Sequence, residues 1–212
     1  MRDEQYYIQR IDELESELSR IKREVRLAEV RRRVTPHFLF NSISVSIGLV
    51  TQEPSTAVRF LNLLAKMYRY LLKYGGQQYV SIERELELMT QYYELMNLRH
   101  FECLRLDISD KIRRLSGYVL PPLSLQGILE NAIKHNVHTQ ETPLTVKFDT
   151  DGEYIIVSNK IAPLTSETES FHIGMENINE TMRLLFDKQI DVINDGSTFT
   201  VKIPLIKTKT QK

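Results

Sequence analysis

The chain is poor in cysteine, in net charge and in long apolar runs. Cys103 is its single cysteine, so no disulfide forms within the chain and no cysteine-rich metal site can be built. That usage suits a reduced compartment, and the expected location is cytoplasmic. Its 28 basic side chains are matched by 28 acidic ones. This balance argues against nucleic-acid binding, which shows as a basic excess or stripe. It also gives no reason to expect a polybasic membrane-surface protein. No apolar run reaches the ~18 residues of a membrane span, and "MRDEQYYIQR" lacks the apolar core of a signal peptide. A membrane anchor, if the protein uses one, is expected outside this sequence. What is present is 212 residues, 42% of them hydrophobic, enough for one large domain or two small ones.

The N-terminal half reads as helix. Over residues 5–33, Tyr7, Ile11, Leu14, Leu18, Ile21, Val25 and Ala28 recur alternately four and three apart, with charged and polar residues between them. That heptad seam suits pairing with a second helix, most simply its copy in a homodimer. The seam ends at "RRRVTP", where Thr35 is pushed out of the helical region by the proline and Pro36 can open a new helix. An apolar helix over 36–51, a turn at Glu53-Pro54-Ser55 with Ser55 as N-cap, and a helix over 56–74 ended by Gly75-Gly76 make a helical hairpin. Dimerising, such a hairpin completes a four-helix bundle. Ser81 can cap a helix over about 82–100, with Glu83 and Glu85 favourable at its positive end.

Beyond residue 100 the texture changes. "CLRLDISD", "LTVKFDT", "EYIIVSN", "QIDVIND" and "STFTVKIPLI" read as strands, with turns at Asp151-Gly152 and at Asp195-Gly196-Ser197. "PPLSLQGILENAIKHNV" and "GMENINETMRLLF" read as helices, and "KTKTQK" as a polar tail. The fold class is therefore α+β, with the boundary between halves near residue 78.

Three segments carry candidate chemistry. "LENAIKHN" gathers Glu130, Asn131, Lys134, His135 and Asn136, with Asn131 and His135 four apart on a helix. A magnesium-bound triphosphate wants such groups: one hard amide oxygen on the cation, an ammonium against phosphate, a carboxylate to orient water or accept a proton. The same residues also suit an exposed helix face with a Glu130–Lys134 pair worth only ~0.2–0.5 kcal/mol. Gly174 precedes "MENINETMRLL", where a glycine can let helix amides approach phosphate, or simply make a tight helix entry. In "VTPHFLFNSI", His37 stands beside Phe38 and Leu39, and Asn41 follows one turn later on the same face.

Taken together, "PHFLFN", "PPLSLQGILENAIKHN" and "IGMENINETMRLL", in this order, resemble sensor histidine kinases of the LytS/YehU type over residues 31 to about 205. The resemblance implies a coiled-coil connector (1–33), a dimerising hairpin that carries the phosphoacceptor histidine (34–78), a two-layer α/β sandwich ATP-binding domain of the GHKL/Bergerat type (79–206), and a flexible tail (207–212). It implies ATP and Mg²⁺ as ligands. It makes His37 the phosphoacceptor and Asn131 the Mg²⁺ ligand. Glu130, Lys134, His135 and Asn136 complete the nucleotide-facing helix, Asn159 in "VSNK" borders the adenine pocket, and Gly174 and Asn177 belong to the glycine box. The implied partner is a response regulator, often one with a LytTR domain. Phe38 follows His37 where an acidic residue could have acted as base, so Glu130 is the candidate base; Asn41 could orient water for the reverse reaction. No Asp-x-Gly stands at "VSNK", and His172 stands where the first of two glycines is expected. These departures keep a non-catalytic dimeric scaffold as the alternative, beside an ATP-hydrolysing switch.

Overall fold

The computed structural model describes residues 36–162 and 173–208, and side chains over 42–162 and 175–208. The heptad seam over 5–33 and His172 lie outside the described residues. The chain divides between Phe38 and Leu39, and the unit from Leu39 onward holds every described element except the start of the first helix.

Two helices come first, α1 (Pro36–Gln52) and α2 (Pro54–Tyr74). The sequence suggested Ser55 as the cap of the second. Instead α2 starts at Pro54, because proline's fixed φ suits the first helical position, and Glu53 takes the cap site. The Glu53 carboxylate accepts the Thr56 hydroxyl at 2.9 Å. Gly75 does end α2, but in the right-handed region, at φ −61°. Glycine fits there because a Cβ would stand 2.6 Å from the Leu71 carbonyl oxygen.

The rest runs β1 (Val80–Ser81), α3 (Ile82–Arg99), β2 (Leu104–Ile108), α4 (Asp110–Arg113), β3 (Tyr118–Leu120), α5 (Ser124–His135), β4 (Leu144–Thr150), β5 (Tyr154–Lys160), α6 (Ile173–Phe186), β6 (Asp191–Asn194), β7 (Thr198–Pro204) and β8 (Ile206–Lys207). Five strands form one sheet in the order β2-β4-β5-β7-β6, with β2 and β4 parallel and the other pairs antiparallel. Strand alternation sends Leu144, Val146 and Phe148 to the same face as Ile155 and Val157. Helices α3 and α5 pack on the sheet, and α6 packs on α5. Both expected Asp-Gly turns close as hairpins, with Gly152 at φ +95° and Gly196 at φ +86°. In each, the aspartate Oδ1 accepts two backbone N–H groups.

A second sheet, β1-β3-β8, is built from strands too short to show periodicity. It draws in the start of the polar tail. Lys207 pairs with Tyr118, and both the N–H and the hydroxyl of Thr208 donate to the Gly117 carbonyl.

Helix α5 has no cap of its own. Its N-cap position is Leu123, at φ +71°, and the Ser124 hydroxyl donates to the Pro121 carbonyl instead. The acceptor comes from α3. Glu85 Oε1 accepts the Leu123 N–H at 2.8 Å and Oε2 accepts the Leu125 N–H at 3.0 Å. The Tyr70 hydroxyl of α2 donates to Oε1 at 3.2 Å. The sequence suggested Glu85 only as a favourable charge at the start of α3. It is fully buried because it shares a helix face with Ile82 and Met89. Burial pushes its carboxyl up from 4.5 to about 7, against the pull of the Leu125, Leu123 and Tyr70 donors.

The other end of α5 is tied down as well. Asn136 Nδ2 donates to the Ala132 carbonyl, and its Oδ1 accepts the Ala162 N–H, each at 2.8 Å. His138 Nδ1 lies 2.9 Å from the Asn136 carbonyl, and its Nε2 lies 2.9 Å from His100 Nδ1. A carbonyl only accepts, so the neutral pair has His138 Nδ1–H donating to it and His100 Nδ1–H donating to His138. Burial, then the neighbouring His138 and Arg99, holds His100 down to about 4.

These two groups act on stability in opposite senses. Glu85 titrates higher in the folded chain, so its contribution is complete below 4.5 and is lost as pH rises through about 7. His100 titrates lower, so its contribution is complete above 6.5 and is lost as pH falls towards 4. In Glu85→Gln only the histidine loss remains. Urea unfolding midpoints of wild type and Glu85→Gln should therefore move apart, in favour of wild type, as pH is taken from about 7.5 to about 5. A gap that stays constant with pH would contradict the assignment.

Candidate functional site

Helix α5 is the centre of the candidate site. Leu125, Ile128, Leu129, Ala132 and Ile133 are buried on it, and the packing of α3, α6 and the sheet around it also encloses polar positions. Asn131 is buried, yet among the described residues its amide makes no hydrogen bond. A largely buried residue whose amide oxygen has no protein partner is what a hard cation needs from a protein. Lys134, in the next turn, is exposed and can meet an anion from solvent. Glu130 is half-buried, and its Oε2 accepts the Gln126 amide at 2.8 Å, which fixes its orientation. Tyr92 of α3 stays protonated, held well above its usual range by burial and then by the Glu130 charge. His135 is pushed down by burial and then by Lys134, which favours the neutral ring.

The remaining candidates fall around this helix. Asn136 ends α5 with both amide functions occupied by backbone groups of Ala132 and Ala162. Val137 N–H also donates to the Ala162 carbonyl, at 2.7 Å. The end of α5 is thereby joined to the residues just past β5, the strand that carries Asn159. Asn159 is buried, opposite Val146 in the sheet, and its Nδ2 donates to the Lys160 carbonyl at 2.8 Å. Gly174 lies in the first turn of α6, and the Asn177 carbonyl accepts the Thr181 hydroxyl at 2.7 Å. Helices α5 and α6 meet closely at Gly127, where a Cβ would stand 3.3 Å from Ile178 Cδ1. The fold thus groups Glu130, Asn131, Lys134, His135 and Asn136 on one helix, beside the helix of Gly174 and Asn177 and the strand of Asn159. His37 and Asn41 are both on α1, one turn apart.

A groove of about 360 Å³ between α2 and α3 is lined by residues such as Ser55, Arg59, Lys66 and Glu94, and by none of these candidates. Among the described residues, no three His, Cys, Asp or Glu side chains gather to hold a metal. A cation at Asn131 would take its other oxygens from phosphate and water. Sequence reasoning missed Tyr70 as a partner of Glu85, and the His100–His138 pair. No local signal announces them, since the partners are 15 and 38 residues apart in the chain.

Residues 25–104 match the family model described as histidine kinase. The chain is 31% identical over 207 residues to the sensor protein kinase HptS of Staphylococcus aureus strain USA300, covering 86% of this chain and 39% of that protein. The same values hold for HptS of strain NCTC 8325 / PS 47. The chain therefore spans less than half the length of these curated relatives. A solved structure of the Acinetobacter baumannii histidine kinase AdeS aligns with 80% of this chain and 98% of its own, at 17% identity and a TM-score of 0.40. By the family match residues 25–104 are a histidine kinase domain, and over most of its length the chain is similar to a staphylococcal sensor protein kinase.

Proposed function

We propose that the chain is the kinase portion of a LytS/YehU-type sensor, which binds MgATP, becomes phosphorylated on His37 and passes the phosphoryl group to an aspartate of a response regulator, one of LytTR type. The observation that carries this reading is Asn131, buried with an unoccupied amide one turn before the exposed Lys134. When bound, MgATP supplies the transferable phosphoryl group and the divalent charge that neutralises it. Asn131 gives its oxygen to the cation, and Lys134 meets phosphate as a point charge. Gly174 and Asn177 start the neighbouring helix on the phosphate side, and Asn159 stands on the adenine side. Asn136 holds the end of α5 in place, and His135 completes the nucleotide-facing helix.

The acceptor is His37. A ring nitrogen bonds to the γ-phosphorus as the bond to the bridging oxygen breaks, ADP leaves, and the ring N–H proton passes to a base. Glu130, already oriented by Gln126, is the carboxylate suited to take it. Asn41, one turn from His37, orients water when the phosphoryl group is removed.

A second copy of the chain belongs to this reading. Helix α1 buries Ser42 and Ser46, while Ile43, Ile47 and Val50 are 42%, 66% and 53% exposed. Helix α2 adds Val58 and Leu72, 60% and 86% exposed. A helix that turns serines inward and isoleucines outward is facing the wrong way for a lone chain, and pairing two hairpins into a four-helix bundle covers that face. Among the described residues no helix is long and apolar enough to cross a membrane. An inner-membrane anchor would belong to another part of the full-length protein.

Incubation with γ-labelled ATP and Mg²⁺ should give acid-labile label on wild type and none on His37→Gln. Label on neither protein would move the reading to a non-catalytic scaffold, and turnover that survives His37→Gln to an ATP-hydrolysing switch. Asn131→Ala should keep the wild-type circular dichroism spectrum and lose MgATP affinity on the order of tenfold or more in a calorimetric titration. Ile47→Glu places a charge in the covered face, and light scattering should report a monomer where wild type is a dimer.

A further inference from the structure

We propose that Tyr70, Glu85 and the N-terminus of α5 form a strut through which helix α2 sets the position of the nucleotide-binding helix, making Glu85 a positioning residue for phosphoryl transfer. The proposal rests on the reading of α5 as the helix that holds MgATP.

Three elements meet at this one carboxylate. Each oxygen accepts one amide of the α5 entry, from Leu123 at 2.8 Å and from Leu125 at 3.0 Å. Two amides bound by two oxygens of one rigid group fix both the rotation of α5 and its position along its axis. Nothing nearby can replace the cap, because the Ser124 hydroxyl is held by the Pro121 carbonyl. The third bond ties the carboxylate to α2, through the Tyr70 hydroxyl at 3.2 Å. Tyr70 is itself buried and packs on Tyr74, ring centroids 4.8 Å apart, so its hydroxyl follows any shift of α2. Asn131 and Lys134 lie further along the same rigid helix, and a displacement of the α5 entry reaches them undamped. The helix after the His37 helix and the helix of the Mg²⁺ ligand are thus joined by a single buried carboxylate, and a shift of α2 becomes a change in nucleotide affinity.

The test compares wild type, Tyr70→Phe, Glu85→Gln and the double variant, each as the full chain, by amide hydrogen exchange and by calorimetric MgATP titration. Tyr70→Phe keeps the ring and removes only the donor. It should speed exchange in the first turn of α5 several-fold, leave β4 and β5 unchanged, and weaken MgATP binding about threefold to tenfold. Glu85→Gln should do more. Because Tyr70 acts through Glu85, Tyr70→Phe should add nothing in the Glu85→Gln background. Unchanged α5 exchange in Tyr70→Phe would overturn the strut, as would additive effects of the two changes. If Glu85→Gln does not fold, Tyr70→Phe still decides by exchange. Wild-type protein that binds no MgATP would sink the kinase reading, while the exchange data would still decide whether α2 controls α5.

Discussion

A carboxylate buried away from water must find donors, and Glu85 finds three. This one requirement organises the centre of the fold. The α5 entry is deficient by itself: Leu123 is left-handed, a conformation costing a non-glycine residue ~1–2 kcal/mol, and no local side chain caps the helix. Glu85 is deficient too, since its burial disfavours its charge. Placed together, each supplies what the other lacks. The bare amides receive an acceptor, and the acceptor receives the positive end of a helix. Tyr70 completes the set and brings α2 into it.

The far end of α5 is held by a different device. Asn136 bonds back to Ala132 and across to Ala162, and His138 links the Asn136 carbonyl to His100 at the end of α3. The helix is therefore clamped at both ends by groups from distant parts of the chain. Between the clamps, Asn131 is largely buried, and among the described residues its amide is unoccupied.

Helix α1 shows the complementary arrangement. Its polar residues Ser42 and Ser46 are covered within the chain, while Ile43, Ile47 and Val50 face outward. The sheet and its helices satisfy themselves; α1 does not.

Much of this is legible locally. Period-two alternation marks the main strands, Asp-Gly pairs mark both hairpin turns, and helical spacing marks α1, α2, α3, α5 and α6. The run "LENAIKHN" brings five polar candidates onto one helix by spacing alone. Strands β1, β3 and β8 and helix α4 are not legible, because two to four residues carry no period. Local pattern also misjudged Ser55 as a helix cap, since proline geometry moved the start of α2 back by two residues. By itself the sequence determined the elements, their order and which residues could do chemistry, because those depend on neighbours within a turn or two. Only the tertiary structure decided that Glu85 caps a helix 38–40 residues away, that His100 meets His138, and that Asn136 is occupied while Asn131 is not. Those outcomes depend on which buried polar groups the packing forces together, and no local pattern encodes that.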